Sequence, residues 1–234
     1  MPQLPLVEAA AADAAVDVKP TWRGWIHAGT FPVAVVVGIV LIVVAQGAPA
    51  KWAAVVFMTS SLLLFGNSAI YHRFEGSPKI KATLKRIDHA NILLLIAGTY
   101  TPLATLALPP EKGALLLYLV WGGALLGILF RVFWINAPRW LYVALYLLLG
   151  WAAVMYMGDL LAANVTMMLL VIIGGLLYTG GAVVYAVKKP NPWPGHFGFH
   201  EIFHVCTVLA FLCHWAACLL IAIAPLTPSL GSPG

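Results

Sequence analysis

The sequence predicts an all-α integral membrane protein, a bundle of seven spanning helices with the N-terminus cytoplasmic and the C-terminus outside. Three observations carry that prediction. The 234 residues are 62% hydrophobic and only 9% charged, against roughly 25% charged residues in a soluble domain. Their mean hydropathy is +0.94, so the chain cannot cover a water-facing surface. Apolar stretches of about 20 residues, the length that crosses a bilayer as a helix, recur seven times with no strand-like alternation between them.

In chain order, residues 1–28 form an N-terminal tail and interfacial segment. They do not read as a signal peptide: Lys19 and Arg23 follow the Ala-rich stretch instead of preceding it, and Glu8, Asp13 and Asp17 interrupt it. The expected spans are 29–48, 52–72, 88–108, 114–133, 140–158, 165–187 and 200–224, followed by a tail at 225–234. Each break between spans carries turn-forming residues: Gly47-Ala-Pro49, Gly76-Ser-Pro78, Pro109-Pro110, Asn136-Ala-Pro138, Asp159 to Asn164, and Lys188 to Gly195. Gly174, Gly175, Gly180 and Gly181 in the sixth span read as sites of close helix approach. Trp22, Trp25, Trp52 and Trp193 mark interfaces.

Alternating the spans from a cytoplasmic N-terminus puts Lys19, Arg23, Arg73, Lys79, Lys81, Lys85, Arg86, Arg131, Arg139, Lys188 and Lys189 inside. Only Lys51 and Lys112 remain outside. Eleven against two is a strong positive-inside bias, and a miscount by one span would scramble it. The expected location is the inner (plasma) membrane, in a multi-pass arrangement. The net charge of +5 then reports orientation. No basic run interleaves with aromatics, so nucleic acid is not an expected partner. Cys206, Cys213 and Cys218 all fall in the last span, where they read as small buried residues and give no disulfide framework.

Ionisable residues inside spans are costly and usually functional. The second span ends in Ser68-Ala-Ile-Tyr-His72, the third begins Asp88-His89, and the seventh begins His200-Glu-Ile-Phe-His204. Topology alone puts Ser68, His72, Asp88, His200 and His204 in the same cytoplasmic third of the membrane. Residues four apart share a helix face, about 6 Å apart along the axis. His200 and His204 therefore form one pair of ligands, and His72 from another helix completes a tripod. Three neutral imidazoles with an open fourth position is the arrangement of catalytic zinc. Asp88 is placed to orient or deprotonate a water there, and Ser68 to assist it by hydrogen bonding. Imidazole and oxygen donors favour zinc over copper; Cys206 lies about 200° around the helix from His204 and faces away.

Residues 200–204 also spell H-E-x-x-H, the zincin string. That motif needs a third downstream ligand. No Asp or Glu follows Glu201, and His214 lies ten residues past His204, about 15 Å along the helix. The protease reading is therefore disfavoured. Glu201 is expected to answer the helix dipole and to bond Lys188, Lys189 or a neighbouring His. His27 and His196 are expected at interfaces in structural roles, and His89 in a helix-packing hydrogen bond.

Ser68-x-x-x-His72, RIDHANILLLIAGTYTP (86–102) and His200-x-x-x-His204, preceded by RGWIH (23–27), resemble the hemolysin III family. That family is the bacterial branch of the progestin and adiponectin receptor superfamily, and the resemblance covers roughly residues 20–224. It implies a seven-helix bundle with zinc near the cytoplasmic side, held by His72, His200 and His204. Asp88 would hold the reacting water and Ser68 would help. The wider superfamily, which includes alkaline ceramidases, implies hydrolysis of a lipid amide or ester, with a membrane lipid as substrate or ligand. A non-enzymatic sensor with a structural zinc is the alternative, and a pore-forming haemolysin the third reading. Spans of near-uniform apolarity with one polar cluster do not line a continuous channel.

Overall fold

In the computed structural model, residues 20–134 and 136–224 are described. They form helices α1 (Trp25–Val44), α2 (Gly47–Arg73), α3 (Pro78–Ala107), α4 (Pro110–Phe133), α5 (Arg139–Gly150), a 3₁₀ turn (Ala152–Tyr156), α6 (Met157–Ala163), α7 (Val165–Val187) and α8 (Phe199–Ile223). Taking α5 to α6 as one broken span, seven helices are long and apolar enough to cross a membrane. The chain is a multi-pass membrane protein with an all-α bundle fold. The expected tails 1–19 and 225–234 lie outside the described residues.

Four spans start at least four residues earlier than the apolar stretches suggest, at Trp25, Gly47, Pro78 and Pro110. The first begins at Trp25, because Gly24 caps it with φ of 86°, a left-handed conformation that glycine adopts without strain. The third begins at Pro78, ten residues before the apolar run. Ser77 accepts a hydrogen bond from the Ile80 N–H, and Pro78 occupies the first turn, where a missing N–H costs nothing. Lys79, Lys81 and Lys85 therefore lie on the helix itself.

Consecutive spans pack as neighbours, and the last returns against the first. The third span is the most enclosed and sits at the centre of the bundle. Polar side chains fix its register against α2: Asn67 donates to the Leu84 carbonyl and Asn91 to the Leu63 carbonyl. Where apolar contact alone gives little directionality, such interhelical bonds set the level at which side chains meet. Close approach is helped by Gly98, whose absent Cβ leaves room for the Ser60 side chain. On the other side, Trp215 donates to the Val37 carbonyl and the Gln46 N–H to the Ala222 carbonyl, joining α1 to α8.

The fifth span breaks between Gly150 and Met157. Non-helical backbone at membrane depth survives only if its polar groups find partners. The Tyr100 hydroxyl from α3 supplies two, donating to the Gly150 carbonyl at 2.6 Å and accepting from the Ala153 N–H at 2.9 Å. Trp151 donates to Thr179 on α7. The four glycines of α7 divide by face. Gly174 meets His214 and Gly181 meets Cys206 and Phe203, all on α8; Gly175 meets Trp151; Gly180 has nothing against it.

Candidate metal centre

At the end of the bundle rich in Lys and Arg, α2 delivers His72 from its last turn and α8 delivers His200 and His204 from its first two. One ring nitrogen of each lies within 4.8 Å of the others. The Nε2 atoms of His72 and His200 are 3.2 Å apart. Ligands about 2.0–2.1 Å from a tetrahedral ion stand about 3.3 Å from one another, so this pair is at coordination spacing. The three rings are steeply inclined, at 85°, 62° and 56° pairwise, so nitrogens converge where stacked rings would not. His204 Nδ1 is buried with no hydrogen-bond partner, an unmet polar atom of the kind that calls for explanation. The residues present fit a metal ion: the group is buried or half-buried, nitrogen-rich and preformed.

Asp88 and Ser68 line the same cavity as the three histidines. Ser68 is buried one helical turn before His72 and shares the cavity lining with Asp88. All five residues singled out from the sequence come to one cavity. Cys206 packs against α7 at Gly181, away from the ligands, and the three cysteines are free thiols.

Arg23 and His27 from the N-terminal segment complete the surroundings. Arg23 Nε donates to Glu201 Oε1 at 2.5 Å, and Glu201 Oε2 accepts from the Gly198 N–H at 2.9 Å. Glu201 is fully enclosed, so its partner is Arg23 and not Lys188, Lys189 or a histidine as expected. The carboxylate both caps α8 and anchors the N-terminal segment over its first turn. Further bonds from Thr21 and Trp22 to the Gly195 and His196 carbonyls, and from Thr21 to the His196 ring, hold the same segment. His196 is exposed. His27 is buried and stacks face to face on His204, with ring centroids 3.8 Å apart and planes 10° from parallel. In the sequence, only the place of Arg23 and His27 at the same end of the bundle as HEIFH points to them. Gly24 between them permits the approach, since a Cβ there would stand 2.8 Å from that of His72. His89 bonds the Lys85 carbonyl one turn back at 2.7 Å, a structural role.

The cavity has a volume of about 710 Å³. From the histidine group it runs between α3, α5, α7 and α8 past the break in the fifth span to Met168 and Leu103. Beyond the polar end its wall is mostly aliphatic and aromatic.

Fold and site together define a seven-helix membrane protein with a buried three-histidine group that could hold a metal ion. The chain belongs to the hemolysin III family: a family model described as "Haemolysin-III related" matches residues 17–215. It is 35% identical over 170 residues to the Hemolysin-3 homolog of Bacillus subtilis (strain 168), covering 71% of this chain and 76% of that protein. It is 33% identical over 136 residues to Hemolysin-3 of Bacillus cereus, covering 57% of this chain and 61% of that one.

Proposed function

We propose that the protein is a zinc-dependent hydrolase of a lipid amide or ester, working at the cytoplasmic side of the plasma membrane. The observation that carries this reading is the continuity of the three-histidine group with a cavity long and apolar enough for a lipid chain. His72, His200 and His204 would hold the ion, and imidazole and oxygen donors without a thiolate favour zinc. A bound zinc supplies Lewis-acid polarisation of a carbonyl and lowers the pKa of water at its open position. The chain's own groups do the rest. The aliphatic wall binds the acyl chain and excludes water. The Asp88 carboxylate accepts a proton from the attacking water and returns it to the leaving amine or alcohol. Ser68, which lines the same cavity, would orient that carboxylate. Arg23, paired with Glu201, lines the polar end and offers positive charge to an oxygen developing negative charge.

Lipid profiling of membranes carrying the wild type against His200→Ala tests this. An amide or ester lipid that accumulates in the variant supports the reading; identical profiles contradict it. A second reading is favoured by the ligands' origin on two spans, α2 and α8: a structural metal tying them in a membrane sensor. Chelation would then lower the melting temperature while no lipid product forms in wild type.

A further inference from the structure

Past the histidine group, the deep half of the cavity contains several polar side chains, and nearly all are already satisfied. Thr99 bonds the Leu95 carbonyl, Thr207 the Phe203 carbonyl, Thr179 the Gly175 carbonyl, and Tyr100 the break in the fifth span. Two groups among the described residues are not. The Tyr178 hydroxyl and His214 Nδ1 are both buried without a hydrogen-bond partner, and both residues line the cavity. They face each other from α7 and α8, with ring centroids 5.6 Å apart.

His214 is held firmly. It is only 7% exposed, and its Nε2 lies 3.3 Å from the Val171 carbonyl. A carbonyl only accepts, so the proton sits on Nε2 and Nδ1 of the neutral ring is an acceptor. Gly174 makes the fit possible, since a Cβ there would come within 2.8 Å of Nε2. The result is a fixed acceptor beside a phenol that can donate and accept. Leaving both unmet in an apolar wall is unfavourable.

We propose that His214 and Tyr178 form a polar station that binds an oxygen function, best a hydroxyl, carried in mid-chain by the lipid in the cavity. A ligand hydroxyl donates to His214 Nδ1 and accepts from Tyr178; a methylene does neither. The inference rests on the lipid reading of the cavity but needs no turnover. His214 follows His204 by ten residues, about 15 Å along α8. An extended chain with its head at the histidine end passes the station in mid-chain on that spacing.

The test uses purified full-length protein and competition against a fluorescent fatty acid, with octadecanoate and 12-hydroxyoctadecanoate as competitors. The hydroxylated chain is expected to bind about tenfold more tightly, the effect of satisfying two buried groups. Tyr178→Phe, which removes one oxygen, and His214→Phe should each remove most of that preference, with a smaller change in octadecanoate affinity. Equal binding of the two competitors, or a preference that persists in both variants, overturns the station but not the lipid reading. Binding of neither chain overturns both.

Discussion

Asp88 and Arg23 illustrate two different burdens on single side chains near the three histidines. Asp88 is no member of the ligand group but lines the same cavity. Replacing it should spare the metal and remove the proton acceptor. Asp88→Ala is therefore expected to retain metal in elemental analysis and to lose lipid turnover by at least about a hundredfold; turnover equal to wild type counts against the assignment. Arg23 holds a carboxylate with no solvent exposure of its own. Arg23→Leu leaves Glu201 buried and uncompensated, a change that costs about 3 kcal/mol. Thermal unfolding in detergent should register it as a lower melting temperature, and Arg23→Leu combined with Glu201→Leu should recover part of the loss. At this scale the sequence was readable wherever topology and i, i+4 spacing act together. His72, His200 and His204 follow from which end of which span they occupy. His27 did not, because its place depends on Gly24 turning the chain back against His72, a conformation that composition does not encode.

Among the elements, the ends of α3 and the break in the fifth span are where pattern reading and structure part. The apolar window missed the first ten residues of α3 because Lys79, Lys81, Lys85 and Arg86 dilute it, although Ser77-Pro78 is a sound helix start. The α5 to α6 break carries only Gly150 as a local sign. Its stability comes from a tyrosine fifty residues earlier in the chain, and no local pattern reports a partner at that distance. Tyr100→Phe removes a donor and an acceptor from backbone groups at membrane depth. The expected cost is about 2 kcal/mol, with faster amide exchange confined to residues 150–156; unchanged exchange there means the hydroxyl is dispensable. The break also shapes the cavity, because Gly150, Trp151, Ala153 and Val154 form part of its wall.

For the whole molecule, seven spans and their order were legible from hydropathy and charge asymmetry, since the bilayer imposes both on any helical membrane protein. The cavity was not, because it is a property of how α3, α5, α7 and α8 lean together and not of any one of them. The first and last helices run in the same direction, with the polar site at their shared beginning. The three histidines, Asp88 and the apolar cavity thus share one end of the bundle. The most direct test of that arrangement is elemental analysis of the purified wild type beside His72→Ala and His200→Ala. The account predicts about one zinc per chain in the wild type and none in either variant, although the two histidines lie on different helices. Wild-type protein without zinc, or variants that keep it, would contradict the central claim.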